Sequence, residues 1–323
     1  MTENLKFTEI NKIPCLTWNW LKMNRASLEV EASSEIISEK KEITATKKGE
    51  VISIPLAFED GKRYEHEQIV TAQENSEVTV ILDYTSAKNA GGFSSIKTKL
   101  VAHPYSKIHL VKVQLLGSNY VQIDDTFGEC DDSAKIEVTQ IELGGSKVYA
   151  QVKNELDGYE SRFKSDTAYI TENGQILDMN YVVNHHGAKT DTKMIVKGVV
   201  GDAALKVYRG TIDFKRGCTD ATGDEQEETL LMSKTAVNKS IPMILCNEEN
   251  VSGTHGATLG RLGADELFYM QSRGISEEEA KLMMKKAKVL SIASKIPSEV
   301  VREKIENFLE ADTFSSLPIS AQS

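Results

Sequence analysis

From about residue 51 to 255 the chain alternates apolar and polar residues in short runs. VISIPLAF, SEVTVILDY, SKIHLVKVQLL, YVQIDD, AKIEVTQIEL, SKVYAQVKNEL, TAYITEN, KMIVKGVV and ALKVYRGTIDF each read as a strand of a few residues. Turn-forming stretches separate them: ENS, GSN, LGGS, ENGQ and VGDA. The series is too long for one immunoglobulin-like sandwich of about 100 residues. Almost no helical pattern interrupts it, which argues against a doubly wound α/β fold. A mainly β fold, a solenoid whose coils stack short strands around a shared apolar interior, accounts best for the texture. Two stacked sandwiches are the alternative.

The flanks differ. Residues 1–50 read as a mixed helical region. Within it TWNWLKMNRASLEVE carries Trp18, Trp20, Leu21 and Met23, expected to pack on the body as a structural lid. SEIISEKKEITATKKGE (34–50) is charged and expected on the surface. The expected solenoid core covers 51–260, and 261–323 form a C-terminal helical region. There Ser276 and Glu279 make a capping box, and Leu282, Met283, Ala287 and Leu290 mark one apolar face. Arg273-Gly274 suits a sharp turn before the cap. A second helix follows Pro297, with Val300, Val301, Ile305, Phe308 and Leu309 on its apolar side. The tail SSLPISAQS is small and polar, and is expected to fray.

Composition narrows the function classes. The 323 residues hold 38 Lys and Arg against 48 Asp and Glu, a net charge of −10. That balance disfavours a nucleic-acid backbone or an anionic membrane surface as partner. No apolar run reaches the roughly 18 residues of a membrane-spanning helix. The polar start MTENLKFTEINKIP lacks the apolar centre of a signal peptide. The expected location is the cytoplasm. Cys15, Cys130, Cys218 and Cys246 form no CxxC pair and are read as free thiols in a reducing compartment.

The densest chemical signal is SGTHGATLG, residues 252–260. It has neither the GxxxxGK[ST] of a phosphate-binding loop nor a GxGxxG. No GxSxG accompanies it, and no orienting partner marks Cys246 and His255 as a nucleophile and its base. His255, Cys246 and the pair Glu248-Glu249 form a borderline-soft ligand set within ten residues, suited to iron, an iron–sulfur cluster or zinc. They lack the closed four-ligand spacing of a structural zinc site. A satisfied core residue is the plain alternative for each. His185-His186 is a weak metal signal, because adjacent strand residues point to opposite faces. GDEQEET (223–229) reads as an exposed acidic loop.

The run IPMILCNEENVSGTHGATLGRLGADELFYMQSRGISEEEA resembles the C-terminal signature of the SufB/SufD family of iron–sulfur cluster assembly scaffolds. The matching residues are His255-Gly256-Ala257-Thr258, Asp265, Leu267-Phe268-Tyr269 and Ser272-Arg273-Gly274-Ile275-Ser276. Upstream, HHGAKTDT, GVVGDAALKVYRGTI and LLMSKTAVNKSIP resemble further family segments, so the clear likeness covers about 180–295. The resemblance implies a right-handed parallel β-helix flanked by helical terminal parts. It implies a SufC-like ABC ATPase docked on the C-terminal helices, about 276–310. It implies side-by-side pairing through the β-helix, with a SufB-like paralogue or with a second copy. It implies a transient iron–sulfur cluster formed at that interface, with the family histidine there falling on His255. Members have been associated with a flavin, for which this chain shows no motif. Departures place the chain nearer SufD. Ala236 stands where SufB-type members carry a cysteine, and Thr254 and Gly256 flank the histidine instead of glutamates. Cys246 is the candidate to supply the ligand that Ala236 does not. The alternatives are a structural SufD-like partner without cluster ligands, with His255 as a turn residue where the chain leaves the last coil, and a solenoid enzyme of another class. A polysaccharide-acting solenoid is disfavoured by 7% aromatic residues and the absence of a signal peptide.

Overall fold

The computed structural model describes residues 5–17, 19–30, 35–261 and 263–314. Trp18 and the tail SSLPISAQS lie outside the described residues. A hairpin, β1 (Leu5–Ile10) and β2 (Ala26–Val30), precedes a body of sixteen strands. These are β3 (Ile36–Ala45), β4 (Glu50–Phe58), β5 (Arg63–Ala72), β6 (Glu77–Ser86), β7 (Gly91–Ala102), β8 (Lys107–Leu115), β9 (Asn119–Cys130) and β10 (Lys135–Glu142). Then come β11 (Lys147–Leu156), β12 (Arg162–Thr171), β13 (Ile176–His185), β14 (Asp191–Val200), β15 (Leu205–Phe214), β16 (Ala221–Leu231), β17 (Val237–Cys246) and β18 (Val251–Arg261). Three helices follow: α1 (Ala264–Ser272), α2 (Glu277–Ala293) and α3 (Glu299–Phe314).

The body strands alternate between two parallel sheets. The odd sheet runs β3 to β17 and the even sheet β4 to β18, so each coil contributes one strand to each sheet. This is the expected parallel β-solenoid, with about eight turns. Strand alternation puts every second residue inside, and the parallel register stacks those residues into rows. One inward row reads Ala45, Ala72, Ala102, Cys130, Leu156, His185, Phe214, Cys246. The interior is mostly Val, Ile, Leu and Tyr, with buried ions embedded in it. Lys112 Nζ donates to Asp124 at 2.9 Å and to Thr126 at 3.1 Å, with neither ion of the pair exposed beyond 1%.

The N-terminal region departs from the helical expectation. It is the antiparallel hairpin β1–β2, one short 3-10 turn at Asn19–Leu21, and the first body strand. Phe7, Ile10 and Leu28 pack against Phe93, Ile123 and Tyr149 of the odd sheet, and the register shift between Phe7 and Ile10 lets both face that way; Trp20, expected to pack on the body, is 77% exposed. The charged segment is mostly exposed, as expected, and within it Ile36–Ala45 forms β3, paired with β5 along its whole length.

The C-terminal helices lie on the outer face of the even sheet. Val289, Ile292, Ala293, Ile296, Val301, Ile305 and Leu309 cover Ile81, Val111, Val113, Leu115, Ile141, Leu143 and Ala168. The α2 stripe is therefore rotated from the expected one, leaving Met283 exposed. The capping box forms as expected: Glu279 N donates to Ser276 Oγ (3.2 Å) and Ser276 N to the Glu279 carboxylate (2.8 Å). Lysines frame the apolar seam, with Lys285 to Glu172 (2.5 Å), Lys295 to Asp166 (2.6 Å), Lys304 to Asp83 (2.5 Å), and Lys288 paired with Glu228.

Candidate functional site

The two sheets end in β17 and β18, and each of these strands has a sheet neighbour on one side only. The inward rows of the body run out here. His255 is aligned with Glu225, and behind Glu225 the row continues through Met194, Ser165, Val138, Leu110 and Val80. Those residues are buried because a coil lies on either side. His255 is exposed because no further coil covers it. Leu259, ending the row of Tyr169, Gly198 and Thr229, is 57% exposed for the same reason. His255 is thus a mid-strand residue of an edge strand, not a turn residue. Its neighbour Thr254 donates to Asp224 at 3.0 Å on the adjacent coil.

Cys246 ends its inward row beyond Phe214 and is also exposed. Its Sγ donates to the Glu248 carbonyl at 3.0 Å. The Glu248 carboxylate accepts from Gly217 N (2.8 Å) and Glu249 N (3.1 Å), and these backbone donors hold its pKa below the usual value. Cys218, buried beneath, has its thiol pushed up to about 11, first by burial and then by Glu248. The coil does not bring Cys246 and His255 together. A Cβ placed on Gly253 would lie 3.2 Å from Ile244 Cδ1, so those two residues face each other across the interior. Cys246 stands two residues nearer the connecting turn and His255 two residues farther from it. At about 3.3 Å per strand residue the offset is roughly 13 Å. Among the described residues, no three His, Cys, Asp or Glu side chains cluster as a metal site.

A buried charged cluster lies under the open coil. The acidic stretch GDEQEET, expected as an exposed loop, is part of β16, and alternation turns Glu225 and Glu227 inward. Lys206 Nζ donates to Glu227, which also accepts from Ser240 Oγ and from Thr229 Oγ1 (3.1 Å). Burial lowers the Lys206 pKa, although Glu227 works against it. Glu225 is pushed up to about 8, chiefly by burial and then by Glu227. Among the described residues its Oε2 has no hydrogen-bond partner. Gly210 makes room for it, since a Cβ there would lie 2.0 Å from Glu225 Oε1. The composition of this stretch masked its place; the alternation through Glu225, Glu227 and Thr229 was the signal that could have revealed it.

The histidine pair diverges at the end of β13: His185 is its last residue and His186 follows outside the strand. His185 is enclosed, bonded to Thr190 (2.7 Å) and Thr192 (2.9 Å), and burial drives its pKa down to about 3. His186 is on the surface against Glu155 at 3.0 Å.

A family model described as "SUF system FeS cluster assembly, SufBD core domain" matches residues 58–288. The iron–sulfur cluster assembly protein SufD of Bacillus subtilis is 23% identical over 257 residues, covering 75% of this chain and 56% of that protein. The SufD of Escherichia coli is 22% identical over 236 residues, covering 72% of this chain and 55% of that protein. A chloroplastic SufBD family protein of Arabidopsis thaliana is 27% identical over 168 residues, covering 52% of this chain and 30% of that protein. The chain thus spans about half the length of the two SufD proteins it matches.

Proposed function

The chain belongs to the SufBD core family of SUF-system iron–sulfur cluster assembly proteins, and on that premise we propose that it is a SufD-like scaffold subunit, not an enzyme, that pairs through the open end of its β-helix, end to end rather than side by side, and holds a nascent cluster at the seam. The observation that carries this reading is the open coil. Two strand edges, one from each sheet, are free on one side, and His255 stands exposed between them on an otherwise buried row. An extended edge on another solenoid satisfies such backbone groups. That partner is a SufB-like paralogue or a second copy. His255, and Cys246 at the turn side of the same coil, are the ligands this chain offers. Their roughly 13 Å offset along the strands means that each would join groups from the partner rather than the other. The cluster is cargo, assembled from delivered iron and sulfide and passed to apo-proteins.

A SufC-like ABC ATPase supplies the energy, bound through the helices at about 276–310. Exposed Met283 and Val300 on α2 and α3 suit that docking. No described helix is long and apolar enough to cross a membrane, and we place the protein in the cytoplasm.

Anaerobic reconstitution with iron and sulfide, alone and with the ATPase, tests this. Wild-type chain is expected to retain both elements with a visible cluster spectrum, and His255→Ala and Cys246→Ser to lose them. Unchanged iron and sulfide in both variants would overturn the ligand roles. A second reading, a structural half without ligands of its own, is favoured by the lack of any three-ligand cluster among the described residues. It predicts tight ATPase binding with no cluster on the chain alone.

A further inference from the structure

β1 lies across the outer face of the odd sheet and runs along the solenoid axis. Phe7 stacks near Phe93 of β7, ring centroids 5.6 Å apart. Three coils farther, Asn11 Nδ2 donates to the Asp178 side chain (2.6 Å) and carbonyl (2.8 Å) on β13. β1 is paired on one side only, with β2. Its other side borders a trough of about 820 Å³. The consecutive residues Phe7 to Asn11 all line that trough, and no described residue of β2 does. Successive strand residues face opposite ways. The border is therefore the edge of β1, with its backbone groups.

The floor is one row of the odd sheet. Lys40, Glu67, Lys97, Asp125 and Gln151 stand in register on β3, β5, β7, β9 and β11, and all of them line the trough. Ile123, two residues before Asp125, is packed under the hairpin, so a strand added beside β1 would lie over the Asp125 row. Four coil spacings of about 4.8 Å make the row roughly 19 Å long, the span of about six extended residues.

Polar groups of the lining lack partners. Arg63 Nε and His66 Nδ1 are buried without a hydrogen bond among the described residues, although Glu39 stands 3.5 Å from the latter. No described residue donates a hydrogen bond to the Asp125 carboxylate, which burial, ahead of Asp124, pushes up to about 6. Several lining charges are already paired: Lys40 with Glu42, Arg63 with Glu65, and Glu9 with Lys12 and Arg25. That leaves the carboxylates of Glu39, Glu67 and Asp125 facing the Lys97 ammonium, an acidic excess.

We propose that this trough binds an extended basic segment of a partner protein, which adds to the free edge of β1 as a third strand of the hairpin sheet. The edge accounts for the extended conformation, because backbone pairing needs a strand. The charge accounts for the composition: Lys or Arg side chains reach Asp125 and Glu67, and backbone carbonyls are acceptors for Arg63. The site is separate from the seam at β17 and β18 and does not depend on it.

Fluorescence anisotropy on the full chain tests this with a labelled, end-blocked hexapeptide of alternating Lys and Val. The comparison peptides are its Glu/Val counterpart and the Lys/Val peptide with a central proline. The protein variants are Asp125→Lys, Glu67→Lys and Thr8→Pro, with thermal melts as a folding control. Thr8 lies in the register shift between Phe7 and Ile10 and has no paired residue on β2, so proline there spares the hairpin ladder. Wild type is expected to bind the Lys/Val peptide alone. Each charge reversal should weaken binding at least about tenfold, and Thr8→Pro should weaken it without altering the melt. Should Asp125→Lys melt early, Glu67→Lys carries the charge test, and should Thr8→Pro do so, the proline peptide carries the strand test. Equal binding of the Glu/Val peptide would overturn the basic preference, and equal binding of the proline peptide would overturn strand addition. No Lys/Val binding up to about 1 mM, or binding that both charge reversals leave unchanged, would overturn the site itself.

Discussion

The two ends of the solenoid are built differently. At the N-terminal end, β3 carries Glu39, Lys40, Lys41 and Glu42 in succession, with Lys40 paired to Glu42 at 3.0 Å, and its companion β4 contains Pro55. Behind this edge lies an aromatic stack. Phe58 sits 4.6 Å from Tyr64, 5.8 Å from Tyr120 and 6.3 Å from Tyr84, centroid to centroid. At the C-terminal end, β18 has no charged residue before Arg261, its companion β17 carries Lys239 and Pro242, and buried ions lie behind the two strands together with the rings of Tyr208 and Phe214. Charge and proline on an edge strand are the usual means of preventing strand addition. Charge on β3 and proline on β4 thus guard both strands of the N-terminal end, whereas at the C-terminal end only β17 carries such residues and β18, which bears His255, does not. Behind the C-terminal end lies a cluster that includes Lys206, Glu225 and Glu227.

The largest expected effect comes from exchanging the edges' character. Lysines at Ala257 and Thr258 should abolish pairing at the C-terminal end. Replacing Glu39, Lys40, Lys41 and Glu42 by Thr and Val should create concentration-dependent association at the other, visible in light scattering. If neither change alters association, the contrast has no functional meaning.

Next come the supports behind each edge. Phe58→Ala should cost about 3–5 kcal/mol in urea unfolding by opening a cavity in the ring stack. Lys206→Met should cost a comparable ~3–5 kcal/mol, because it strands the buried Glu227 charge. Restoring stability in Lys206→Met with Glu227→Gln would confirm the second cause, since the double variant leaves no buried charge unpaired there.

The smallest effect is the part of the pH slope that the charged cluster contributes. Glu225 is pushed up to about 8 from its ordinary value of 4.5. The folded state therefore binds a proton that the unfolded state has released. Its favourable contribution is complete below about pH 4.5 and is lost as pH rises through 8. Stability should fall between those limits, and Glu225→Gln should flatten the slope. Glu142, also pushed up to about 8 by burial, and Asp125, pushed up to about 6 chiefly by burial, leave a residual slope that Glu142→Gln reduces. The Phe58→Ala variant should keep the full slope. A wild-type profile without any slope would show that the carboxyls find solvent or a cation in the folded state.

Much of this architecture was readable along the chain, because strand alternation and turn residues are local. KIEVTQIEL shows its period of two directly, and the Ser276–Glu279 cap needs only one helical turn to form. The motif around His255 was equally legible as a family signature. The hairpin β1–β2 was not, since its apolar spacing fits a surface helix as well as a strand until Phe93, Ile123 and Tyr149 are set against it. Glu225 and Glu227 were misread because an acidic run suggests solvent.

By itself, then, the chain's order of residues determined the strands, the terminal helices and the likeness to cluster-assembly scaffolds. Only the tertiary structure decided which strands are last in their sheets, that His255 is bare while the rest of its row is buried, and that Cys246 stands apart from it. The reason is physical. Parallel stacking joins residues a full coil apart, as Thr254 reaches Asp224 across 30 residues of sequence. Whether a side chain is enclosed depends on the presence of the next coil, which no local pattern records.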